Sequence, residues 1–472
     1  MKVFVTHSYF YQLDPKQWKN KTPFPPLGTI TALAALKEQN YNTEFYDVAL
    51  DSSPALGEKK IINSEADVVV IYDDGFNYLT KMCLTNMRHA CFELIAAAKT
   101  IGAKVIVSSS DSTDHYEMYH DKGADIVLEG EGEMALLESL DCISEGKRFS
   151  EIGGISYLKT NQVIKTDKRL KLKELDSLPT ADWESIDIAS YKAIWGKGKS
   201  PFSLNISTTR GCPFKCNWCA KPIYGNRYNS RSPKRVVEEI QFLSDHFDTK
   251  YFWMTDDIFG LKPGWVTEFN QLLKDKNLSI HYKIQSRADL MMKDNTIDEL
   301  AESGLEEAWL GAESGSQKIL DAMDKGITLS QIKESTQLLQ KKGIRVAYFL
   351  QFGYLGENKA DINATLSMVK DNTPDDIGIS VSYPLPGTPF FEKVKEQMVN
   401  KSNWKDSDDL DLMFEGEYSS KFYKNLQRHT HHLFRFRQGI RKIKSPNTRI
   451  SWRYVALIPY NLMVSMILKP KF

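Results

Sequence analysis

The chain has 472 residues, 42% of them apolar, enough for two or three domains with real cores. Basic and acidic residues both number 61, so the whole-protein field points to neither a nucleic acid nor an acidic partner. Six cysteines are too few to staple a secreted fold of this length, and MKVFVTHSYFYQLDP lacks signal-peptide features, so a place in the reducing cytoplasm is expected.

From the amino end, short β-branched runs alternate with helical signals. Strands are predicted at KVFVTH (2–7), NTEFYDV (42–48), ADVVVIY (66–72), KVIVSS (104–109) and ADIVLEG (124–130). Helix-like segments start near Gly28, Leu84, Thr113 and Glu131. The pattern predicts a doubly wound, Rossmann-like α/β domain over residues 1–150, with ligands beyond the carboxyl ends of the strands. Those ends supply the loops Ser8–Phe10, Asp73–Asn77, Ser108–Ser112 and Glu129–Glu133. In PPLG (25–28) the prolines fix the entry to a helix, and Gly28 lets the helix N-terminus come close to a ligand. A hairpin (153–165) turning near Thr160–Gln162, then the polar stretch LDSLPTADW (175–183), predicts a linker region over 151–200.

A second alternating series starts at Leu204. Its predicted strands are LNISTTRG, YFWMTDD (251–257), IHYKIQSR (280–287), EAWLGAE (307–313), VAYFLQFG (346–353) and IGISVSY (377–383). Helices fall between them, as in SPKRVVEEIQFLSDHF, with Ser232 as N-cap and Pro233 just inside. Six βα units predict a partial (β/α)6, TIM-like barrel over 201–395, with its site at the carboxyl ends of the strands. Residues 396–472 read as a helical, basic C-terminal region.

The loop after the first strand of this series is RGCPFKCNWCA (210–220), with Cys212, Cys216 and Cys219 in eight positions. A closed structural zinc site takes four ligands, and the nearest downstream histidine is His246. Burial alone does not account for three thiols in a Gly/Pro turn, and an open catalytic zinc would need a base that the sequence does not offer nearby. A [4Fe–4S] cluster on three local thiolates would leave one iron open to a small molecule.

C-x-x-x-C-x-aromatic-C in this setting resembles the radical S-adenosylmethionine superfamily. The resemblance implies that the open iron chelates S-adenosylmethionine, whose one-electron cleavage gives a 5′-deoxyadenosyl radical that abstracts hydrogen from substrate. It also implies roles at the strand ends: Asp256 for the cofactor's amino group, Arg287 for its carboxylate, Glu313 for the ribose, Gln351 as a weaker contact and Trp218 near the adenine. PLPGTPF (384–390) is common in this subgroup, as a loop near the barrel mouth.

PPLGTITALAAL (25–36) and VLEGEGE (127–133) resemble the cobalamin-binding domain found upstream of many such barrels. Pro26, Gly28, Asp74, Ser109, Gly130 and Glu131 are the implied cobalamin-lining residues. The Asp-x-His-x-x-Gly loop of histidine-ligated cobalamin proteins is absent, and His7 stands at a strand end among different neighbours; the lower axial position is left to water or to a side chain such as Asp73 or Tyr72.

Together these imply C-methylation of an unactivated carbon in a small or hydrophobic substrate, with an electron donor such as flavodoxin or ferredoxin. No side chain stands out as an acid or base. The alternatives are a cobalamin-dependent cyclase or rearrangement enzyme, a methylthiotransferase-like enzyme without cobalamin, and a non-enzymatic metal scaffold. The methylthiotransferase reading needs a second cluster on Cys83, Cys91 and Cys142. In an intact helix, however, Cys83 and Cys91 would stand ~12 Å apart. No nucleic-acid module is recognisable.

After Glu417 there is no acidic residue, while twelve lysines and arginines lie between Lys421 and Lys471. HTHHLFRFRQGIRKIK (429–444) precedes the apolar run VALIPYNLMVSMIL (455–468), which is too short to span a bilayer and is interrupted by Pro459 and Asn461. Two readings stand: a peripheral contact with a membrane face, or a helix docked across the barrel with a solvated basic side.

Overall fold

The computed structural model describes residues 1–75, 85–160, 162–221, 223–293, 295–398, 410–444 and 452–470. They fall into two compact units. The first takes in Met1–Pro213 and Lys221–Tyr282; the second takes in Phe214–Ala220, Lys283–Ser402 and Asp408–Phe472.

In the first unit the β-branched runs become strands β1 (Lys2–Thr6), β2 (Asn42–Phe45), β3 (Val68–Tyr72), β4 (Lys104–Ser108) and β5 (Ile126–Leu128). Val3, Val5, Val68, Val70, Ile106 and Leu128 are fully excluded from water. They meet Leu33, Leu36, Leu136 and Leu140 of two covering helices, Leu27–Glu38 and Glu133–Glu145. Burying each such side chain stabilises the unit by about 1.5–3 kcal/mol relative to exposure.

Strands β1–β5 are parallel, in the order β2-β1-β3-β4-β5. The order reverses between β1 and β3, the point where such sheets open a ligand crevice at their carboxyl ends. The hairpin forms as β6 (Ile155–Lys159) and β7 (Gln162–Lys165). It does more than lead into a linker: β6 pairs antiparallel with β5, so the hairpin completes a seven-stranded sheet. The helical signal near Thr113 resolves into two short helices, Ser110–Asp114 and Tyr116–Asp121.

The second βα series begins in the same unit. Strand β8 (Leu204–Ile206) is followed by the short pair β9 (Thr209–Arg210) and β10 (Asn229–Ser230), antiparallel to each other. Helix Pro233–Phe247 is capped by the Ser232 hydroxyl, which accepts from Arg235 N at 3.2 Å. Strand β11 (Tyr251–Met254) then pairs parallel with β8. Strand β12 (His281–Ser286) carries the chain out of the first unit.

In the second unit β13 (Leu305–Glu313), β14 (Arg345–Phe352) and β15 (Asp376–Val381) pair in parallel. Between β13 and β14 runs the helix Leu329–Lys341, started by a reciprocal Thr328–Gln331 cap. The unit ends in two long helices, Ser420–Lys444 and Trp452–Ile467. No helix among the described residues is long and apolar enough to cross a membrane.

Candidate functional site

The stem of the cysteine loop lies in the first unit and is fixed at four consecutive residues. Thr208 N and Thr209 N donate to Asp256 Oδ1 at 2.7 and 2.8 Å, and the Thr208 hydroxyl donates to Oδ2. Burial raises the Asp256 pKa to about 7 against these hydrogen bonds, which lower it. The Asp256 carboxylate, expected to meet an amino group, therefore already binds the strand end that leads into the loop.

Arg210 is the next anchor. Its Nη1 donates to Glu131 Oε1 at 2.6 Å and its Nη2 to Glu133 Oε1 at 2.7 Å, with all three side chains buried. The Tyr224 ring lies 5.1 Å from the guanidinium carbon. Burial pulls the guanidinium pKa down, but Glu133, Tyr224 and Glu131 outweigh it and hold the charge. Gly211 follows at φ 78, and a Cβ there would stand 2.2 Å from Arg227 O, so only glycine fits. Cys212 comes directly after it, half-buried and in no disulfide.

The rest of the loop belongs to the second unit. Cys216 and Cys219 are half-buried, and neither is in a disulfide. Between them Asn217 is buried and fully engaged. Its Nδ2 donates to Ala322 O (2.7 Å) and Asp324 Oδ2 (2.8 Å), its N donates to Met323 O (3.0 Å), and its Oδ1 accepts from Tyr354 OH (2.7 Å). Trp218 packs edge-on to Tyr383 with ring centroids 6.2 Å apart, and its Nε1 has no hydrogen-bond partner.

Arg287 stacks its guanidinium 3.7 Å from the Phe214 ring. Its Nε and Nη2 donate to Asp289, and Nη1 and Nη2 to the Lys325 and Gly326 carbonyls. Four of its five N–H groups are thus used. Glu313 ends β13 in a left-handed backbone conformation (φ 54) and accepts from Lys325 Nζ at 2.8 Å, both side chains buried. Burial lowers the Lys325 pKa, but Glu313 and the Cys216 thiol reverse the shift and hold it above its usual value. A Cβ at Gly311 would lie 2.5 Å from Lys325 Nζ, so this glycine makes room for the pair. Gln351 is 1% exposed, and both its amide atoms lack a partner. Such a group is costly unless a ligand or water satisfies it.

The predicted cobalamin residues gather at the carboxyl ends of the first sheet. Gly28 N donates to Asp74 Oδ1 at 3.0 Å, and a Cβ at Gly28 would be 3.1 Å from Asp74 Cα and Gly75 N. The close approach that Gly28 permits is therefore to the loop after β3. Pro26 occupies the N-cap position of the helix that starts there, with no side-chain cap bond. Ser109 caps helix Ser110–Asp114 reciprocally with Ser112, and Gly130 N donates to Thr113 Oγ1 at 3.1 Å. Glu131 is taken by Arg210 and by Leu172 N. Ser110 Oγ, at the end of β4, is buried with no partner.

His7 has both ring nitrogens engaged: Tyr9 N donates to Nδ1 (3.3 Å), and Nε2 contacts Asp47 (2.9 Å). Asp73 accepts from Ser8 N and its hydroxyl, and burial raises its pKa. Burial likewise pushes the Tyr72 phenol up.

Sequence reasoning missed Arg210, Asn217 and Lys325. The first two are embedded in RGCPFKCNWCA, where attention falls on the thiols, and nothing local marks Lys325. Cys91 and Cys142 are buried, with burial raising both thiol pKa values, as inert structural cysteines behave; Cys83 lies outside the described residues. Among the described residues no three His, Cys, Asp or Glu side chains stand as a preformed ion cage. The donor set is nonetheless three half-exposed cysteines on one anchored loop, none of them in a disulfide, which suits an iron–sulfur cluster. The orphaned Gln351 amide and Trp218 indole, and separately the Ser110 hydroxyl, offer groups for organic cofactors.

Residues 206–369 match the radical SAM superfamily. An uncharacterized methyltransferase of Pyrococcus horikoshii is 25% identical over 81% of this chain and 82% of its own length. An anaerobic magnesium-protoporphyrin IX monomethyl ester cyclase of Rubrivivax gelatinosus is 26% identical over 58% of this chain, which spans half of that protein. In three dimensions the chain resembles the radical S-adenosylmethionine methyltransferase TsrM from Kitasatospora setae, solved with cobalamin and a [4Fe-4S] cluster bound. The TM-score is 0.70 at 17% identity, over 85% of this chain and 76% of that one. At that identity the likeness is one of fold.

Proposed function

We propose, for a chain whose residues 206–369 form a radical S-adenosylmethionine domain, an enzyme that methylates an unactivated carbon using a [4Fe–4S] cluster, S-adenosylmethionine and cobalamin. The observation that carries the reading is the anchored loop with three cysteines, Cys212, Cys216 and Cys219, none of them in a disulfide and all within eight positions of the chain. Cluster, S-adenosylmethionine and cobalamin together supply hydrogen abstraction and a methyl group. The chain's own residues bind and orient them. Thr208–Gly211 and Asn217 fix the loop, Arg287 keeps one N–H available beside Phe214, and the Glu313–Lys325 pair is charge-balanced. Gln351 and Trp218 offer unpaired polar atoms to S-adenosylmethionine.

In the same proposal residues 1–150 hold cobalamin at the β1/β3 switch point, through the loops of Pro26, Gly28, Asp74, Ser109 and Gly130. Residues 151–200, a hairpin that completes the first sheet and then a linker, lead to a partial (β/α)6 barrel over 201–395, and residues 396–472 form the helical basic region. A cytoplasmic reductant of the flavodoxin or ferredoxin type supplies the electron, and the substrate is a small or hydrophobic molecule. The likeness to the Rubrivivax cyclase supports a second reading, cobalamin-dependent ring formation.

Anaerobic purification is expected to yield brown protein with about four irons per chain, the content of a [4Fe–4S] cluster. Dithionite should then release 5′-deoxyadenosine from S-adenosylmethionine, and Cys216→Ala should lose the iron. Hydroxocobalamin should remain bound through gel filtration. Methylation consumes two S-adenosylmethionine molecules per turnover, one leaving as S-adenosylhomocysteine; a product of unchanged substrate carbon count would favour ring formation. Colourless protein holding one zinc after anaerobic reconstitution would overturn the proposal.

A further inference from the structure

The two C-terminal helices play different parts. Helix Ser420–Lys444 is integral to the second unit. Tyr423, Leu426 and Phe434 are buried, Gln438 Nε2 donates to Asp375 O (2.9 Å), and Arg441 Nη1 donates to Thr373 O (3.0 Å). These contacts hold it against β15 and the turn before it.

Helix Trp452–Ile467 rests on Ser420–Lys444 along a narrow seam. Ile458 and Ser465, seven residues apart and so on one face, are its buried positions among the described side chains. Gly439 makes the approach possible, since a Cβ there would stand 2.6 Å from Ile458 Cγ1. His429 Nδ1 contacts Ser465 O at 2.7 Å and His432 Nδ1 contacts Asn461 Oδ1 at 2.8 Å, which completes the seam.

Most of its other described side chains turn outward. Val455, Leu457, Tyr460, Met463, Met466 and Ile467 are 45–74% exposed, and residues 454–468 contain no charge. An exposed apolar patch of this continuity marks a contact surface. Its electrostatic setting selects the partner: from Tyr418 onward there are twelve lysines and arginines and no carboxylate side chain. An apolar helix face within a wholly basic segment fits the interface of an anionic bilayer.

We infer that helix Trp452–Ile467 is a peripheral membrane anchor, lying in the headgroup region of anionic lipid with its uncharged face toward the acyl chains. Helix Ser420–Lys444 is its rigid mount. The pieces differ from a membrane span in length and in the interrupting Pro459. The contact is reversible and weakens with salt, because part of its attraction is between exposed charges.

The test is co-sedimentation of the full chain with vesicles of equal parts phosphatidylglycerol and phosphatidylcholine, against vesicles of phosphatidylcholine alone. Binding to the anionic vesicles at low salt is expected, with about tenfold less bound protein on neutral vesicles or at about 0.5 M salt. The triple variant Leu457→Ser/Met463→Ser/Met466→Ser changes only exposed positions. It should keep the wild-type circular dichroism spectrum and lose the binding. Wild-type protein that stays in the supernatant with anionic vesicles at low salt overturns the inference. So does a wild-type dimer in sedimentation velocity that the triple variant converts to monomer, since a second copy would then cover the face. Neither readout depends on iron, cobalamin or turnover, so the result stands apart from the fate of the enzymatic proposal.

Discussion

Arg210→Met tests whether the buried ion cluster holds the stem of the cysteine loop. The Arg210, Glu131 and Glu133 side chains are 5%, 9% and 3% exposed, so the substitution leaves two carboxylates out of water without the cation that bonds them both, only Lys171 remaining in their field. Breaking a buried pair from one side costs about 3–5 kcal/mol. The lost contact with Tyr224 adds about 0.5–2 kcal/mol. At about 2–4 °C per kcal/mol for a domain of this size class, the melting temperature should fall by roughly 7–28 °C. Glu133→Gln keeps Glu131 as counter-ion and exchanges a charged acceptor for a neutral one, a loss of about 1–2 kcal/mol. The triple variant Arg210→Met/Glu131→Gln/Glu133→Gln removes all three hydrogen-bonded charges at once and should regain at least half of the single variant's loss. Thermal unfolding followed by tryptophan fluorescence at pH 7.5 measures all three, with iron content after anaerobic reconstitution as a second readout, because Arg210 precedes Cys212 by two residues. An Arg210→Met protein as stable as wild type, or a triple variant less stable than the single one, would refute the reasoning.

Gly211→Ala should lower both the melting temperature and the iron loading, since its Cβ would overlap Arg227 O at 2.2 Å and its φ of 78 disfavours any side chain; wild-type iron content would contradict this. Asn217→Ala strips the loop of its bonds to Ala322, Asp324 and Tyr354, leaving buried groups unsatisfied. It should cost about 2–4 kcal/mol in urea unfolding and release iron faster to a chelator. Burial raises the Glu357 pKa to about 8, against the Gly353 N–H bond that lowers it. Because the folded pKa lies above the unfolded value of 4.5, the associated stability is full below about pH 4 and is lost as pH rises toward 8. The loss is on the order of 3–5 kcal/mol. Glu357→Gln should flatten that slope, so equal slopes for variant and wild type between pH 5 and 8.5 would exclude the effect.

The sequence by itself determined what depends on neighbours along the chain. Continuous β-branched runs such as Val68–Ile71 have no polar face to offer, so they form strands covered on both sides. Ser232 before Pro233 announced a helix start that the backbone requires. The spacing of Cys212, Cys216 and Cys219 carried the chemistry, because three thiols on one turn need an outside ligand. What the sequence left open is who occupies each polar group, since partners far apart in the chain meet only when it folds. Asp256, expected to face an amino group, binds Thr208 and Thr209; Gly28, expected to face a ligand, faces Asp74. Glu131, expected to line a cofactor, neutralises Arg210, 79 positions away. The basic tail carried two equal readings for the same reason. Burial differs along the tail: Leu426 and Phe434 are sealed inside the unit, while Leu457 and Met466 stand in solvent. Hydrophobic periodicity places an apolar residue on a helix face, but only the packed structure decides whether anything covers that face.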